Sequence, residues 1–378
     1  MKKIYIEASS FYGNRSGVGR YGLSITEALM QLDTSDRFTL FNFLRPGRQI
    51  ERDFEVPDNA RITHIRWFPG RIFSLLMRKG ISLPMELFGT SGADVTIFPN
   101  FISWSSLTHK KRICVIHDVA FRFFPEYIQT KNLAYLQRQL TKSLHRSDKV
   151  IAVSEATRQD LIKYYEVADE KVVVVPNAVD HTIFNPSAKE RVVQTRKKFG
   201  IPKNYLLFVG NIDPRKNLVG LLKAYSASYA SHRAALVIVG GGKWSWNSDK
   251  YKEELGKLSE LPIYRTGFIE DNDMAALYAG AISFVYPSFY EGFGIPCLEA
   301  MASGCPVVCS NLSSFPELVG DAALQVDPKD TKAIATAITT VCNSPKLRKG
   351  MAARGLKRAA EFSWEKSAEV LLDIIHSI

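Results

Sequence analysis

Three features of this sequence predict an α/β architecture of two Rossmann-like, parallel-sheet domains. Short apolar runs alternate with helix-periodic stretches from end to end, the pattern of strands covered on both faces. The alternation starts afresh in the second half, and 378 residues suit two domains better than one. The residues equipped for chemistry fall at strand-to-helix turns, where open parallel sheets bind their ligands. Two such domains facing one another would line one interdomain cleft with those turns.

In the first half, strands are expected near Lys3–Glu7, Phe38–Phe43, Val95–Phe98, Ile113–His117, Lys149–Val153 and Val172–Val175. Helical periodicity marks Tyr21–Leu32, Ile128–Arg146 and Glu155–Tyr165. The second set of strands is expected near Leu206–Val209, Ala235–Val239, Ile263–Thr266, Ile282–Tyr286 and Pro306–Cys309, with helices between. The joint is placed after the turn Pro176–Asp180, near Pro186, giving domains 1–185 and 186–362, with Lys189–Phe199 a charged helix. The tail from Phe362-Ser363-Trp364 onward has an apolar helical period that needs a surface, and residues 363–378 are expected to pack back onto the first domain.

Composition narrows the class. Hydrophobic residues make up 46% of the chain, enough for two cores, and no run approaches the roughly 20 apolar residues that span a bilayer. The start, MKKIYIEASS, is broken at Glu7 and reads as a first strand, not a signal peptide. Cys114, Cys297, Cys305, Cys309 and Cys342 show no CxxC spacing and no partnering histidines, so buried free thiols in a reducing cytoplasm are expected, and no metal site. The net charge is +11, and the stretch Arg37–Lys149 carries 18 Lys/Arg against 9 Asp/Glu. Within it, Arg66–Lys79 interleaves basic and large apolar side chains, which suits either an anionic membrane surface or an ordinary helix with a solvated basic face. No nucleic-acid motif accompanies the charge.

The densest constellation is Phe289–Val308, FYEGFGIPCLEAMASGCPVV. Glu291 and Glu299 bracket a Gly-Phe-Gly-Ile-Pro turn, and Pro296 suits a first helical turn. The N–H groups of that turn form a seat for phosphate, with Gly292 and Gly294 permitting close backbone approach. Glu299 is expected in the first turn of the helix, able to accept hydrogen bonds from a diol such as ribose. Glu291 would face what hangs off the phosphate. A dipole-stabilising glutamate is the bland alternative; the ensemble fits a sugar nucleotide.

Other strand exits carry supporting groups. Asn14–Tyr21, with Gly17 and Gly19, could admit a phosphate or sugar at a helix N-terminus, or be a plain tight turn; it lacks the third glycine of the dinucleotide fingerprint. Val209–Asn217 sets Arg215 and Lys216 just past a strand, placed to clamp a diphosphate or to form a solvated loop. His117-Asp118 ends an apolar strand, where the histidine could touch a substrate hydroxyl or stay structural. Gly240–Lys243 offers backbone contact, and Thr266-Gly267-Phe268-Ile269 could present main-chain groups to a base edge.

In this order, these residues resemble the retaining glycosyltransferases of family 4, with the GT-B fold, over nearly the whole chain. The strongest element is Glu-x7-Glu, formed by Glu291 and Glu299 with Gly292, Phe293 and Gly294. Support comes from the N-terminal glycine loop, His117-Asp118, Ser154–Thr157, Pro176-Asn177, Pro214–Asn217, Pro316-Glu317 and Gly320–Ala323. The resemblance implies a nucleotide-sugar-binding second domain and an acceptor-binding first domain. Arg215 and Lys216 would hold the diphosphate, Glu299 the ribose, and Glu291 the donor sugar. Backbone from Phe293 through Gly294 to Ile295 would complete those contacts, His117 would lie beside the transferred sugar, and Gly17 and Gly19 would flank the diphosphate. Asn211 stands where many relatives carry arginine, which makes Lys216 a firmer phosphate ligand than Arg215.

The resemblance also implies retention of anomeric configuration and no metal or other cofactor. Its combined motifs look like the bacterial mannosyltransferases that build O-antigen or exopolysaccharide from GDP-mannose, with a UDP-hexose donor the nearest alternative. The acceptor implied is a lipid-diphosphate-linked saccharide at the inner face of the cytoplasmic membrane. A catalytically silent sugar-nucleotide-binding protein and a membrane-binding module are the rival readings, and an oxidoreductase is disfavoured by the incomplete glycine pattern.

Overall fold

The computed structural model describes residues 1–11, 17–43, 56–108, 110–127, 130–240 and 253–378. The expected sites at Asn14–Ser16 and Gly241–Lys243, and the expected helix start at Ile128, lie outside the described residues. The chain forms two compact units, Met1–Asn177 with Trp364–Ile378, and Ala178–Ser363.

The first unit holds seven parallel strands in the order β3-β2-β1-β4-β5-β6-β7. These are β1 (Lys3–Glu7), β2 (Arg37–Phe43), β3 (Ala60–Ile65), β4 (Val95–Phe98), β5 (Lys111–Ile116), β6 (Lys149–Ala152) and β7 (Val172–Val174). β4 is buried at every position, as a central strand covered on both faces must be. β3 was not among the expected strands; it is an edge strand whose sequence, ARITHI, is only half apolar, with Ile65 alone fully buried.

Helix α1 (Gly17–Leu32) turns Tyr21, Ile25 and Leu29 inward at helical spacing. The terminal helix Trp364–Ser377 lies along α1, and its Trp364 ring meets Tyr21 edge-on at 5.8 Å. Lys2 Nζ donates to the carbonyls of Ile375 (2.7 Å) and Ile378 (3.0 Å), so a cation holds the carbonyl end of that helix. α2 (Gly70–Arg78) is the basic, apolar segment of the sequence.

The second unit has six parallel strands in the order β10-β9-β8-β11-β12-β13. These are β8 (Tyr205–Val209), β9 (Ala235–Val239), β10 (Ile263–Gly267), β11 (Ser283–Tyr286), β12 (Val307–Ser310) and β13 (Ala323–Val326). This is the doubly wound order, whose direction of winding reverses between β8 and β11. The unexpected strand β13 is again at an edge, short and mostly not buried. Residues 178–185, placed with the first domain by the sequence reading, pack with this unit: Phe184 meets Tyr278 at 6.2 Å and His181 bonds the Phe362 carbonyl at 3.1 Å. All five cysteines are free, and only Cys342 is not fully buried.

Candidate active site

In the second unit the chain reverses its winding between β8 and β11, so the turns leaving those strands stand side by side at their carboxyl ends. Past β8, Asp213 accepts a hydrogen bond from the Arg215 N–H (2.9 Å) and caps one turn of 3-10 helix, Pro214–Lys216. Asn217 follows in the left-handed conformation (φ 56°) and caps the helix Leu218–His232. This local geometry points the two basic side chains in different directions.

Arg215 reaches across to the β11 exit. Its Nη1 lies 2.9 Å from Glu291 Oε2 and donates to the Tyr290 carbonyl. In return, the Arg215 carbonyl accepts from Phe289 N–H (2.8 Å) and Ser288 Oγ (3.0 Å). The guanidinium therefore braces one turn against the other. Lys216 Nζ stands 5.6 Å from the centre of the Tyr286 ring and has no hydrogen-bond or ion-pair partner among the described residues. Burial depresses its pKa below the ordinary lysine value; nearby Glu291 opposes that shift only in part, and Arg215 adds to it. Its stem lies across Gly210 (φ 151°), where an added Cβ would come 2.4 Å from Nζ. Only glycine leaves the ammonium that path.

Glu291 also accepts from Tyr286 Oη (2.8 Å) and Ser288 Oγ (3.3 Å). Burial alone would raise its pKa, but Arg215, Lys216 and these hydrogen bonds more than offset that, and the carboxyl titrates below the usual glutamate value. It is an ionised, firmly held acceptor. Its carbonyl takes hydrogen bonds from Ser313 Oγ (2.6 Å) and Ser314 Oγ (2.9 Å), which fixes the backbone before the turn.

The helix Ile295–Ala302 begins after Gly294, which has φ 100° and no side chain to cap the helix. The N–H groups of Phe293, Gly294 and Ile295 have no recorded acceptor among the described residues, leaving an open helix N-terminus. Glu299 departs from expectation: the helix starts at Ile295, so this residue lies one turn in and not in the first turn. Helical side chains lean toward the N-terminus, which still lets its carboxylate serve the first turn. It is 7% exposed and accepts from Tyr278 Oη at 3.2 Å. Two strands beyond β8, just past the end of β10, Phe268 is 70% exposed.

In the first unit, Gly17 opens α1 in open space and Gly19 is buried two residues on. His117, at the exit of β5, is buried between Tyr21 (4.9 Å, edge-on) and Phe101 (5.7 Å). Its Nε2 lies 2.7 Å from the Pro99 carbonyl, which can only accept, so Nε2 carries the proton and Nδ1 is an acceptor. Burial pulls its pKa down to about 4, so the ring is neutral at pH 7 and suits a substrate hydroxyl better than an anion. Asp118 turns back to accept the Ala120 N–H at 2.9 Å.

The sequence reading missed the hydroxyls that hold the acidic pair: Tyr278, Tyr286, Ser288, Ser313 and Ser314. The signal available was their apolar setting, since a buried hydroxyl needs a polar partner. No helix among the described residues is long and apolar enough to cross a membrane.

A family model described as glycosyl transferases group 1 matches residues 193–358, and one described as glycosyltransferase family 4 matches residues 15–183. The O-antigen chain mannosyltransferase B of Escherichia coli is 31% identical over 363 residues, 93% of each chain. Among solved structures, the sucrose-phosphate synthase of Thermosynechococcus elongatus superposes with a TM-score of 0.76 at 19% identity, covering 100% of this chain and 99% of that one. HepE of Anabaena, in complex with UDP and glucose, superposes at 0.72 with 18% identity and complete coverage of both chains.

Proposed function

The chain belongs to the family 4 glycosyltransferases, and from that premise we propose that it moves mannose from GDP-mannose to a lipid-linked saccharide, with retention and without a metal. The observation that carries the site assignment is Lys216, a half-buried ammonium without a carboxylate partner among the described residues, set where the second sheet reverses. When the sugar–phosphate bond breaks, negative charge gathers on the departing diphosphate. Lys216 and the open N-terminus of Ile295–Ala302 are the groups suited to receive it. Glu299 takes the ribose hydroxyls, and Phe268 lies against the base.

Glu291 is assigned to orienting the donor sugar. An ionised carboxylate held by Arg215, Tyr286 and Ser288 has its lone pairs engaged and its basicity lowered, which suits a fixed acceptor better than a nucleophile. The acceptor hydroxyl then attacks on the face the phosphate leaves, and His117 accepts a hydrogen bond from a hydroxyl of the transferred sugar through Nδ1. The choice of mannose and of a saccharide acceptor rests on the likeness to the Escherichia coli O-antigen mannosyltransferase.

Calorimetry with GDP, UDP, GDP-mannose and UDP-glucose, with and without EDTA, tests the donor. Chelator-insensitive binding of GDP and GDP-mannose alone is expected. A preference for UDP would overturn the donor and keep the class. Proton NMR of the first product formed reports the anomeric configuration, and inversion would overturn the mechanism.

A further inference from the structure

The face of the first sheet that carries Tyr5 is covered along only part of its length. Tyr5 pairs with Thr39 across β1 and β2, so Tyr5, Phe41 and Phe43 share that face, and Phe73, Met77 and Phe88 pack on it. Helix α2, at nine residues, reaches about 13 Å, against about 23 Å for the seven residues of β2. The amino ends of β1, β2 and β3 extend beyond that cover. There Lys3, Arg37, Arg61 and Tyr5 line a cavity of about 430 Å³ whose wall includes Gly92. The register Lys3–Arg37 and Thr39–Arg61 puts the three cations on the face of Tyr5. His117 and Gly17 stand past the carboxyl ends of strands, at the opposite edge of the same sheet.

The groups in this cavity are held but not satisfied. Arg61 Nε donates to Thr39 Oγ1 (3.2 Å) and Arg37 Nη1 to the Asp58 carbonyl (3.4 Å), neutral partners that aim both guanidiniums and leave their charge unmatched. Lys3 Nζ has no partner among the described residues. Beneath the cations Tyr5 is 6% exposed, with its ring 6.3 Å from that of Phe41 and its hydroxyl without a hydrogen bond among the described residues. A polar group so deeply buried calls for a partner, and the cavity is where one can stand. Two acceptors complete the lining. The Asp58 carboxylate forms no ion pair among the described residues, and Asn59 gives its Nδ2 to the carbonyls of Asp33 (2.7 Å) and Met30 (3.4 Å), which leaves Oδ1 open.

We propose that this cavity is a binding site for a phosphorylated monosaccharide. Two guanidiniums and an ammonium match a phosphate ester, and the Tyr5 hydroxyl can donate to it. Asp58 and Asn59 Oδ1 can only accept, so the remainder of the ligand must bring donors, as sugar hydroxyls do. Inorganic phosphate would meet the cations and leave both acceptors and most of the volume unused. The size is that of a small-molecule site and too small for a polymer. The inference stands apart from the donor reading, since it uses no residue of the second unit.

The test is calorimetry of the full chain with mannose 6-phosphate, mannose and inorganic phosphate. Mannose 6-phosphate should bind, inorganic phosphate at least 10-fold more weakly, and mannose not at all. R37Q and R61Q each remove a charged donor and should weaken mannose 6-phosphate roughly 10- to 150-fold. G92L keeps every charge and fills the cavity instead. A Cβ there comes 3.6 Å from Tyr5 Oη, an ordinary contact, and Gly92 does not have a positive φ, so the backbone accepts the change. It should lower affinity at least 10-fold. Unchanged melting temperatures would show that the variants are folded. K216M should bind mannose 6-phosphate as the wild type does; a loss there would put the phosphate at the donor site and overturn the proposal. Loss in R37Q and R61Q with full binding in G92L would mean a diffuse basic surface and overturn it too. So would equal affinity for inorganic phosphate or for mannose, or no binding of mannose 6-phosphate at millimolar concentration. Wild-type protein that binds mannose 6-phosphate through Arg37 and Arg61 but no nucleotide would refute the donor reading and leave this one standing.

Discussion

Replacing Lys216 by Met separates a functional cation from a structural one. Methionine keeps most of the stem that crosses Gly210 and removes the ammonium, with its approach to the Tyr286 ring. In the folded protein that charge has no carboxylate partner among the described residues, and burial already depresses its pKa. Its removal should therefore leave thermal stability unchanged or raise it by up to about 1 kcal/mol, the mark of a site that sacrifices stability for activity. Binding should suffer instead. A charge-assisted hydrogen bond contributes about 1.5–3 kcal/mol, so GDP should bind roughly 10- to 150-fold more weakly. The loss of a group facing the departing phosphate should lower kcat by a further factor of about 100 to 1,000. Thermal unfolding, GDP calorimetry and steady-state kinetics on one preparation read all three quantities. A fall in melting temperature with GDP affinity intact would make Lys216 structural and refute the reasoning. Gly210→Ala is the companion: its Cβ displaces the ammonium from a positive-φ position, so affinity and stability should fall together.

Three further outcomes follow from the same geometry. Glu291→Gln keeps an acceptor but loses the ion pair with Arg215; kcat should fall about 100-fold with GDP affinity nearly unchanged, and a fall in affinity alone would reassign the residue to the nucleotide. Glu299→Ala should weaken GDP by roughly 10-fold or more and weaken GMP in parallel, because the residue is assigned to the ribose; equal loss for inorganic pyrophosphate would contradict that. His117 is held near pKa 4 against 6.5 for the free side chain, so the unfolded state binds the extra proton between those values. Its contribution to stability is complete above about pH 6.5 and falls by about 3 kcal/mol as pH drops to 4. The His117 ring protons should show no titration in NMR between pH 8 and 5, and a midpoint near 6.5 would refute its buried, neutral state.

Much of the fold was legible in the sequence because parallel strands buried on both faces announce themselves as continuous apolar runs, as in ALVIV of β9 and VTIF of β4. The two strands missed, β3 and β13, are edge strands, where one side is open and the apolar signal thins. The joint was displaced because Pro186 marks a local turn, whereas the grouping of 178–185 depends on Phe184 finding Tyr278, a contact far along the chain.

The sequence by itself determined the chemistry on offer: two glutamates around a glycine turn, two adjacent cations past a strand, and a histidine at a strand end. Backbone rules did this, since glycine and proline fix turns wherever they stand. Tertiary structure alone decided how those groups divide their work. Arg215 and Lys216 are neighbours with equal charge, and only the proximity of the β8 and β11 exits sets one against Glu291 and leaves the other without a carboxylate partner among the described residues. Likewise, His117 is neutral because burial beside Tyr21 and Phe101 outweighs the opposing pull of the Pro99 carbonyl, and desolvation by distant residues leaves no trace in the local sequence.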